Sequence, residues 1–222
     1  MTFTKYLQQA TILFEKRDLN AALVAYDVAQ ANAQTAHEHM QVQQMKGIAF
    51  RLDRQYDKAL DAFDQAIRFA NGSHVDIARI QRDMGMVYLD EATVRNGDRR
   101  LLRIASELFV SSRTDLITFV EPVEAAASDG FYGRALFIRG DRRAAVRVLE
   151  RANFCLVGKS DTYELNNLIW LARASVVGRI AHARRARELA RRTNQPIRWK
   201  EYLVILIGGD HLYRFVKKRK GA

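Results

Sequence analysis

One set of spacings, written three times along the chain, limits what it can fold into. Ala10, Leu13, Ala22, Tyr26 and Ala29 are separated by the same intervals as Gly47, Phe50, Ala59, Phe63 and Ala66. Gly133, Leu136, Ala145, Leu149 and Ala152 repeat those intervals again. Each set holds small residues on two successive segments and a large residue one turn beyond each. Small residues at a crossing let two backbones approach closely, and the large neighbours fill the space left beside it. The segments read as helices. In YDKALDAFDQAIRFA, residues 56–70, the positions Tyr56, Ala59, Leu60, Phe63, Ala66, Ile67 and Ala70 share one helical face, while Asp57, Asp61 and Asp64 take the other. One such hairpin cannot bury its apolar face alone, so hairpins are expected to stack.

Composition supports this reading by removing the alternatives. A β-sandwich needs turn residues every 8–12 positions or so, and the 222 residues include only 2 prolines and 12 glycines. The single cysteine, Cys155, excludes an internal disulfide framework and any multi-cysteine zinc site. Helical runs are predicted over 20–33, with Asn20 as N-cap, over 37–52 and over 56–70. Breaks are predicted near 17–20, 34–37, 53–56, 71–74, 96–98, 114–121, 139–142, 158–161 and 193–197. Pro122 and Pro196 suit first turns of helices, and Asp129-Gly130 marks a point where a helix over 122–138 would break or bend.

The residues just quoted resemble the consensus of the tetratricopeptide repeat (TPR) family. The stretch Gly47, Phe50, Tyr56, Ala59, Phe63 and Ala66 is a strong match, and residues 3–34 match with Tyr6 at the usual tryptophan position. Residues 78–113 match through Gly85 and Tyr88, with the second helix arriving one to two turns late. Residues 126–157 match moderately, and 161–192 are helical and alanine-rich but depart from the consensus. The resemblance implies an all-α fold: a right-handed α-solenoid of four to five antiparallel hairpins forming one domain over 1–222. Its repeats would fall at 3–34, 40–71, 78–113, 122–157 and 161–192, followed by a capping helix at 197–216 and a basic tail at 217–222.

The resemblance also implies a binding face. In TPR proteins the first helix of each pair lines a concave groove. By position this gives Leu7, Thr11 and Phe14, then Gln44, Ile48 and Arg51, then Arg79, Arg82, Met86 and Leu89, then Arg134 and Phe137. The family's two-carboxylate clamp would need Lys and Asn where this chain has Gln44 and Ile48, or Arg82 and Met86. Chaperone-tail binding is therefore not expected. Arginines interspersed with apolar residues suit an acidic or amphipathic protein or peptide segment. The bland alternative is that these arginines pair with in-chain acids such as Asp53, Asp83 or Glu91.

Charge suggests a second surface. The net charge is +11, and residues 173–222, with 14 Lys and Arg against 3 Asp and Glu, carry the whole excess. Arg184, Arg185, Arg187, Arg191, Arg192, Lys217, Lys218, Arg219 and Lys220 form a dense basic region that would suit nucleic acid or another polyanion. The competing reading is a solvated face and a frayed tail. No phosphate loop, nucleophile elbow or zinc-protease motif is present, and Gly158-Lys159-Ser160 reads as a turn. His37 and His39, two apart, do not share a helix face, so a metal pair is not expected there. The sequence reading is a non-enzymatic protein with no cofactor and no metal. The start of the chain lacks the charged-then-apolar pattern of a secretory signal and no run reaches membrane-spanning length, so a cytoplasmic location is expected.

Overall fold

The structure, a computed structural model, describes residues 2–119, 121–175 and 178–194. These form ten α-helices: α1 (Phe3–Glu15), α2 (Leu19–Ala31), α3 (Ala36–Leu52), α4 (Tyr56–Phe69), α5 (His74–Val94), α6 (Arg99–Thr118), α7 (Pro122–Arg139), α8 (Arg142–Leu156), α9 (Asp161–Ala174) and α10 (Arg179–Arg192). The closest packing is within the pairs α1/α2, α3/α4, α5/α6, α7/α8 and α9/α10, so the predicted hairpins are the building units. By contacts the chain divides into two compact units, Met1–Glu121 and Pro122–Ala222.

In the first unit, the first helices α1, α3 and α5 lie side by side, and each second helix packs on the first helix of the next hairpin. In the second unit, α7 and α9 neighbour each other in the same way, with α8 against α9. The crossing points are where the repeated spacings place them. A Cβ at Gly47 would sit 2.7 Å from Cε1 of Phe63, and one at Gly85 would sit 2.7 Å from Cε1 of Phe109. A Cβ at Gly133 would sit 2.6 Å from Cγ of Leu149. In the first hairpin Ala10 meets this need with its single methyl, and Tyr26 is its fully buried counterpart.

The hairpin turns reuse the same residues. The amide of Asp18 donates to Leu13 O at 3.1 Å, that of Gln55 to Phe50 O at 2.9 Å, and that of Asp141 to Leu136 O at 2.9 Å. These are Schellman-type closures, whose penultimate residue takes a left-handed conformation. Gly140 (φ 102) fills that position at no steric cost, whereas Arg17 (φ 64) and Arg54 (φ 63) occupy it as non-glycine residues.

The third hairpin explains the late second helix. Its acceptor carbonyl is Ala92, which takes the Gly97 amide at 2.7 Å, one turn further from Gly85 than Phe50 is from Gly47. Its small–large–small series on α6 is Ala105, Phe109 and Ser112, all without exposed surface. One added turn on each helix keeps the same faces in contact, since a turn of 3.6 residues returns nearly to the starting angle. The consensus is therefore present in this repeat, displaced rather than lost.

Several local expectations differ. Asp18, not Asn20, caps α2, accepting from the Ala21 amide at 3.1 Å, and the helix begins at Leu19. The helix α6 runs to Thr118, through part of the predicted break at 114–121. Asp129-Gly130 does not interrupt α7. Asp129 is buried and accepts two hydrogen bonds from Arg151, at 3.0 and 3.1 Å, so its side chain is engaged across the hairpin and does not compete with the helix backbone. The helix α9 ends at Ala174 and α10 begins at Arg179, a boundary unmarked in the sequence reading, and Gly178 (φ 88) precedes the latter. Cys155 is half-buried. The predicted capping helix at 197–216, with Pro196, lies outside the described residues.

Candidate functional site

In the first unit the predicted inner face is built by α3 and α5. Gln44 Nε2 donates to Asp83 Oδ2 at 2.9 Å, and Arg51 Nη1 lies 3.8 Å from Asp90 Oδ2. The two rungs stand two turns apart on both helices, so they tie α3 to α5 along their length. Arg79 lies 3.6 Å from Asp76 Oδ1 and 3.7 Å from Glu121 Oε1. Arg82, only 7% exposed, sits with its Nε 3.9 Å from Asp83 Oδ1. In-chain acids therefore meet these cations. Asp83 is one of the partners the sequence suggested; Asp90, Asp76 and Glu121 stand where Asp53 and Glu91 were expected, and Glu91 pairs instead with Arg95 at 2.6 Å.

Burial corrects part of the predicted lining. Leu89 has no exposed surface and Met86 very little, so both serve packing. Gln44, Ile48, Arg51 and Arg79 are half-buried and keep some surface, as do Leu7, Thr11 and Phe14 on α1.

In the second unit the inner face has a different character. Between α7 and α9 lies a shallow open cleft, lined among others by Gly130, Phe131, Arg134, Tyr163, Asn167 and Trp170. Phe131 and Tyr163 meet edge to face at 6.4 Å. The Arg134 guanidinium lies over the Trp170 ring at 4.8 Å, and Arg173 covers the same ring at 4.1 Å. Phe137 continues the series, 5.7 Å from Trp170, with Arg142 at 5.5 Å and Arg173 at 5.8 Å. Cations and aromatic faces thus alternate along this surface, each contact contributing about 0.5–1 kcal/mol where exposed and more where desolvated. Of the residues named from the sequence, Arg134 lines this cleft and Phe137 is mostly buried. Phe131, Tyr163, Asn167, Trp170 and Arg173 were not named from it. Their signal was present: Tyr163, Asn166, Asn167, Trp170 and Arg173 recur at helical spacing on one face of α9.

The polar chemistry of the cleft centres on Asn167, which is 3% exposed. Its Nδ2 donates to the Leu149 carbonyl at 2.7 Å, which fixes the amide orientation, and its Oδ1 has no hydrogen-bond partner among the described residues.

The basic region of the second unit is split. On α10, Arg185 pairs with Glu164 Oε1 and Arg192 with Asp161 Oδ1, both at 3.0 Å, which staples α10 to α9. Arg184, Arg187 and Arg191 share the exposed face, and neither Arg184 nor Arg191 has an acidic partner among the described residues. Burial pushes the His182 imidazole pKa down, with Glu150 opposing and Arg185 adding to the shift. Lys217, Lys218, Arg219 and Lys220 lie outside the described residues. Among the described residues no group of three His, Cys, Asp or Glu could hold a metal ion, and no helix is long and apolar enough to cross a membrane.

No family model and no curated protein sequence matches the chain. Solved structures do. The crystal structure of the apo form of RapI superposes with a TM-score of 0.73 over 97% of this chain and 81% of that one, at 14% identity. A Podosopora anserina protein assigned as a kinesin light chain, built of nearly identical TPR-like repeats, matches with a TM-score of 0.57 at 16% identity, over 91% of this chain and 94% of that one. A single-site variant of those repeats gives 0.62 at 16% identity, over 87% and 96%. The chain is a TPR-like, all-α helical repeat protein. At these identities the likeness concerns the fold, and function rests on the faces described above.

Proposed function

We propose that the protein is a non-enzymatic interaction scaffold that holds an acidic or amphipathic protein segment against its inner helices. The α7–α9 cleft carries this reading: aromatic rings, two guanidinium groups and a buried amide converge on open space between two rigid helices. Convergent polar groups in a mostly apolar concavity are the usual form of a binding site. In the first unit Gln44, Ile48, Arg51 and Arg79 form that unit's own proposed lining. Their cations are already matched by acids, so an acidic ligand there exchanges one ion pair for another and gains little. The test is the double variant Phe131→Ala, Arg134→Glu in affinity capture from a native extract, with helicity followed by circular dichroism. Loss of the wild-type partner with unchanged helicity supports the proposal. Recovery of the same partner at the same yield refutes it.

A second reading has its own observation. The exposed Arg184, Arg187 and Arg191 on α10 present three cations along two turns, a geometry that suits a polyanion such as nucleic acid. Its test is a salt titration of RNA and DNA binding, which should weaken steeply with salt. No affinity at about 50 mM salt ends it.

A further inference from the structure

The chain contains two Asn-Gly steps, Asn71-Gly72 and Asn96-Gly97, and its sequence ranks them equally. Both lie in turns. Asn71 (φ 47) and Gly72 (φ 79) fall between α4 and α5, and Asn96 (φ 58) and Gly97 (φ 84) between α5 and α6. Positive φ at two successive residues is the pattern of a type I′ turn, for which Asn-Gly is preferred. Backbone conformation therefore does not separate the two steps. Their fastening does. The Gly97 amide is committed to Ala92 O at 2.7 Å, and the next residue, Asp98, accepts from the Arg100 and Leu101 amides at 2.8 and 3.2 Å. The Gly72 amide donates to no group among the described residues, and the Asn71 side chain has no hydrogen bond among them either. Asn71 and Gly72 are both exposed, whereas Gly97 is half-buried. A Cβ placed at Gly72 meets no atom within 4 Å, so the space around it is open. The bond that closes this turn runs from the Ser73 amide to Ala70 O at 2.9 Å.

From this contrast we propose that Asn71 is a site of spontaneous covalent modification and that Asn96, with the same chemistry, is protected. The Gly72 nitrogen, having given its proton to solvent base, attacks Asn71 Cγ. A C–N bond forms and closes a succinimide ring, and the side-chain nitrogen takes a proton from solvent and leaves as ammonia. Glycine has no side chain to hinder the attack. Water then opens the ring at either carbonyl, giving aspartate or an isoaspartyl link in which the main chain runs through the former side chain. No oxidant or reductant takes part. Both products place a negative charge in a neutral turn, and the isoaspartyl link also adds a methylene to the main chain ahead of Ser73. Ser73 caps α5: its hydroxyl accepts from the Asp76 amide at 3.4 Å and donates to Asp76 Oδ2 at 2.7 Å. The longer link displaces that cap and loosens the first turn of α5, the helix on which α4 packs. The sensitive joint is the one between the second and third hairpins.

The test incubates the full chain in warm, mildly alkaline buffer, with a parallel sample unfolded in urea, and maps peptides by mass spectrometry. Conversion is read as the mass gain of amide-to-acid hydrolysis in each Asn-Gly peptide. Isoaspartate is told from aspartate by its resistance to a protease that cuts before aspartate. In the folded chain Asn71 should convert at least about tenfold faster than Asn96, because a hydrogen-bonded amide reacts only after local opening. In urea the two should convert at similar rates. Gly72→Ala should suppress conversion at Asn71 and leave Asn96 as it was. In the isoaspartyl chain the Asp76 and Ile77 amides should exchange faster than in the unconverted chain. Equal conversion of the two steps in the folded chain overturns the inference, as does an Asn71 that keeps its amide when folded and loses it in urea. Unchanged exchange at Asp76 and Ile77 overturns the link to the α5 cap.

Discussion

Replacing Gly47 by alanine sets two effects of known sign against each other. Alanine in a helix interior is favoured over glycine by about 1 kcal/mol, so propensity alone predicts a more stable protein. The structure predicts the opposite. The new Cβ would lie 2.7, 2.8 and 2.9 Å from Cε1, Cζ and Cδ1 of Phe63. Carbon atoms prefer about 3.5–4.0 Å, so the overlap approaches 1 Å at three atoms. Phe63 has no exposed surface and is enclosed by Ala59, Ala66 and Ile80, so the ring has nowhere to retreat. Overpacking a filled core costs about 1–3 kcal/mol, which leaves a net loss of up to about 2 kcal/mol after the propensity gain. Urea unfolding followed by circular dichroism measures this, with Phe63→Leu and the double variant completing a cycle. Leucine lacks the atoms at the far end of the ring, so the methyl at 47 fits, and the cycle should return a favourable coupling of about 1 kcal/mol or more. Gly85→Ala against Phe109 should behave alike. A Gly47→Ala protein more stable than wild type by the full propensity term would refute the seating of Phe63 at Gly47, and the packing argument with it.

At the hairpin turns, Arg54→Gly removes a side chain from a left-handed backbone position and should raise the urea midpoint, by an amount of up to about 1 kcal/mol; Gly140→Ala at the equivalent position should lower it. At the start of α3, the Gln34 and Thr35 amides donate to Glu38 at 2.7 and 3.1 Å and hold its carboxyl below the usual glutamate range. A folded-state pKa depressed in this way favours the folded state above the unfolded-state value, and the benefit is lost as pH falls through the folded value. Glu38→Ala should therefore be less stable than wild type near neutral pH, with the difference vanishing in acid. Thr35→Ala, which removes the side chain accepting from the Glu38 amide at 3.2 Å, should cost about 1 kcal/mol.

How much of this was readable beforehand follows from which forces act locally. Hairpin packing was legible because a steric requirement for a small residue recurs at fixed intervals, and Gly47, Gly133 and their partners record it directly. The third hairpin was harder because one extra turn in each helix preserves the faces but shifts the spacing, so Ala105, Phe109 and Ser112 escape an alignment at constant interval. Position in the repeat named Arg51, Arg79 and Arg82 but not the acids they meet. Whether Arg51 is free or meets Asp90 depends on a neighbour from a different hairpin, which spacing within one repeat does not encode. The α9 residues were overlooked for a related reason. The segment 161–192 departs from the consensus, yet Tyr163, Asn167 and Trp170 share a helical face that periodicity alone would have shown. The orphan acceptor of Asn167 depends on which way its amide turns, and that is decided by Leu149, on another helix.

Amide hydrogen exchange of the full chain, with and without the partner recovered by affinity capture, examines the binding face most directly. The account predicts slowed exchange confined to α7 and α9, chiefly over 127–137 and 163–173, with α2 and α4 unchanged. Slowing confined to α10 would favour the basic stripe instead, and slowing confined to α3 and α5 would place the occupant in the other unit; either result contradicts a site between α7 and α9.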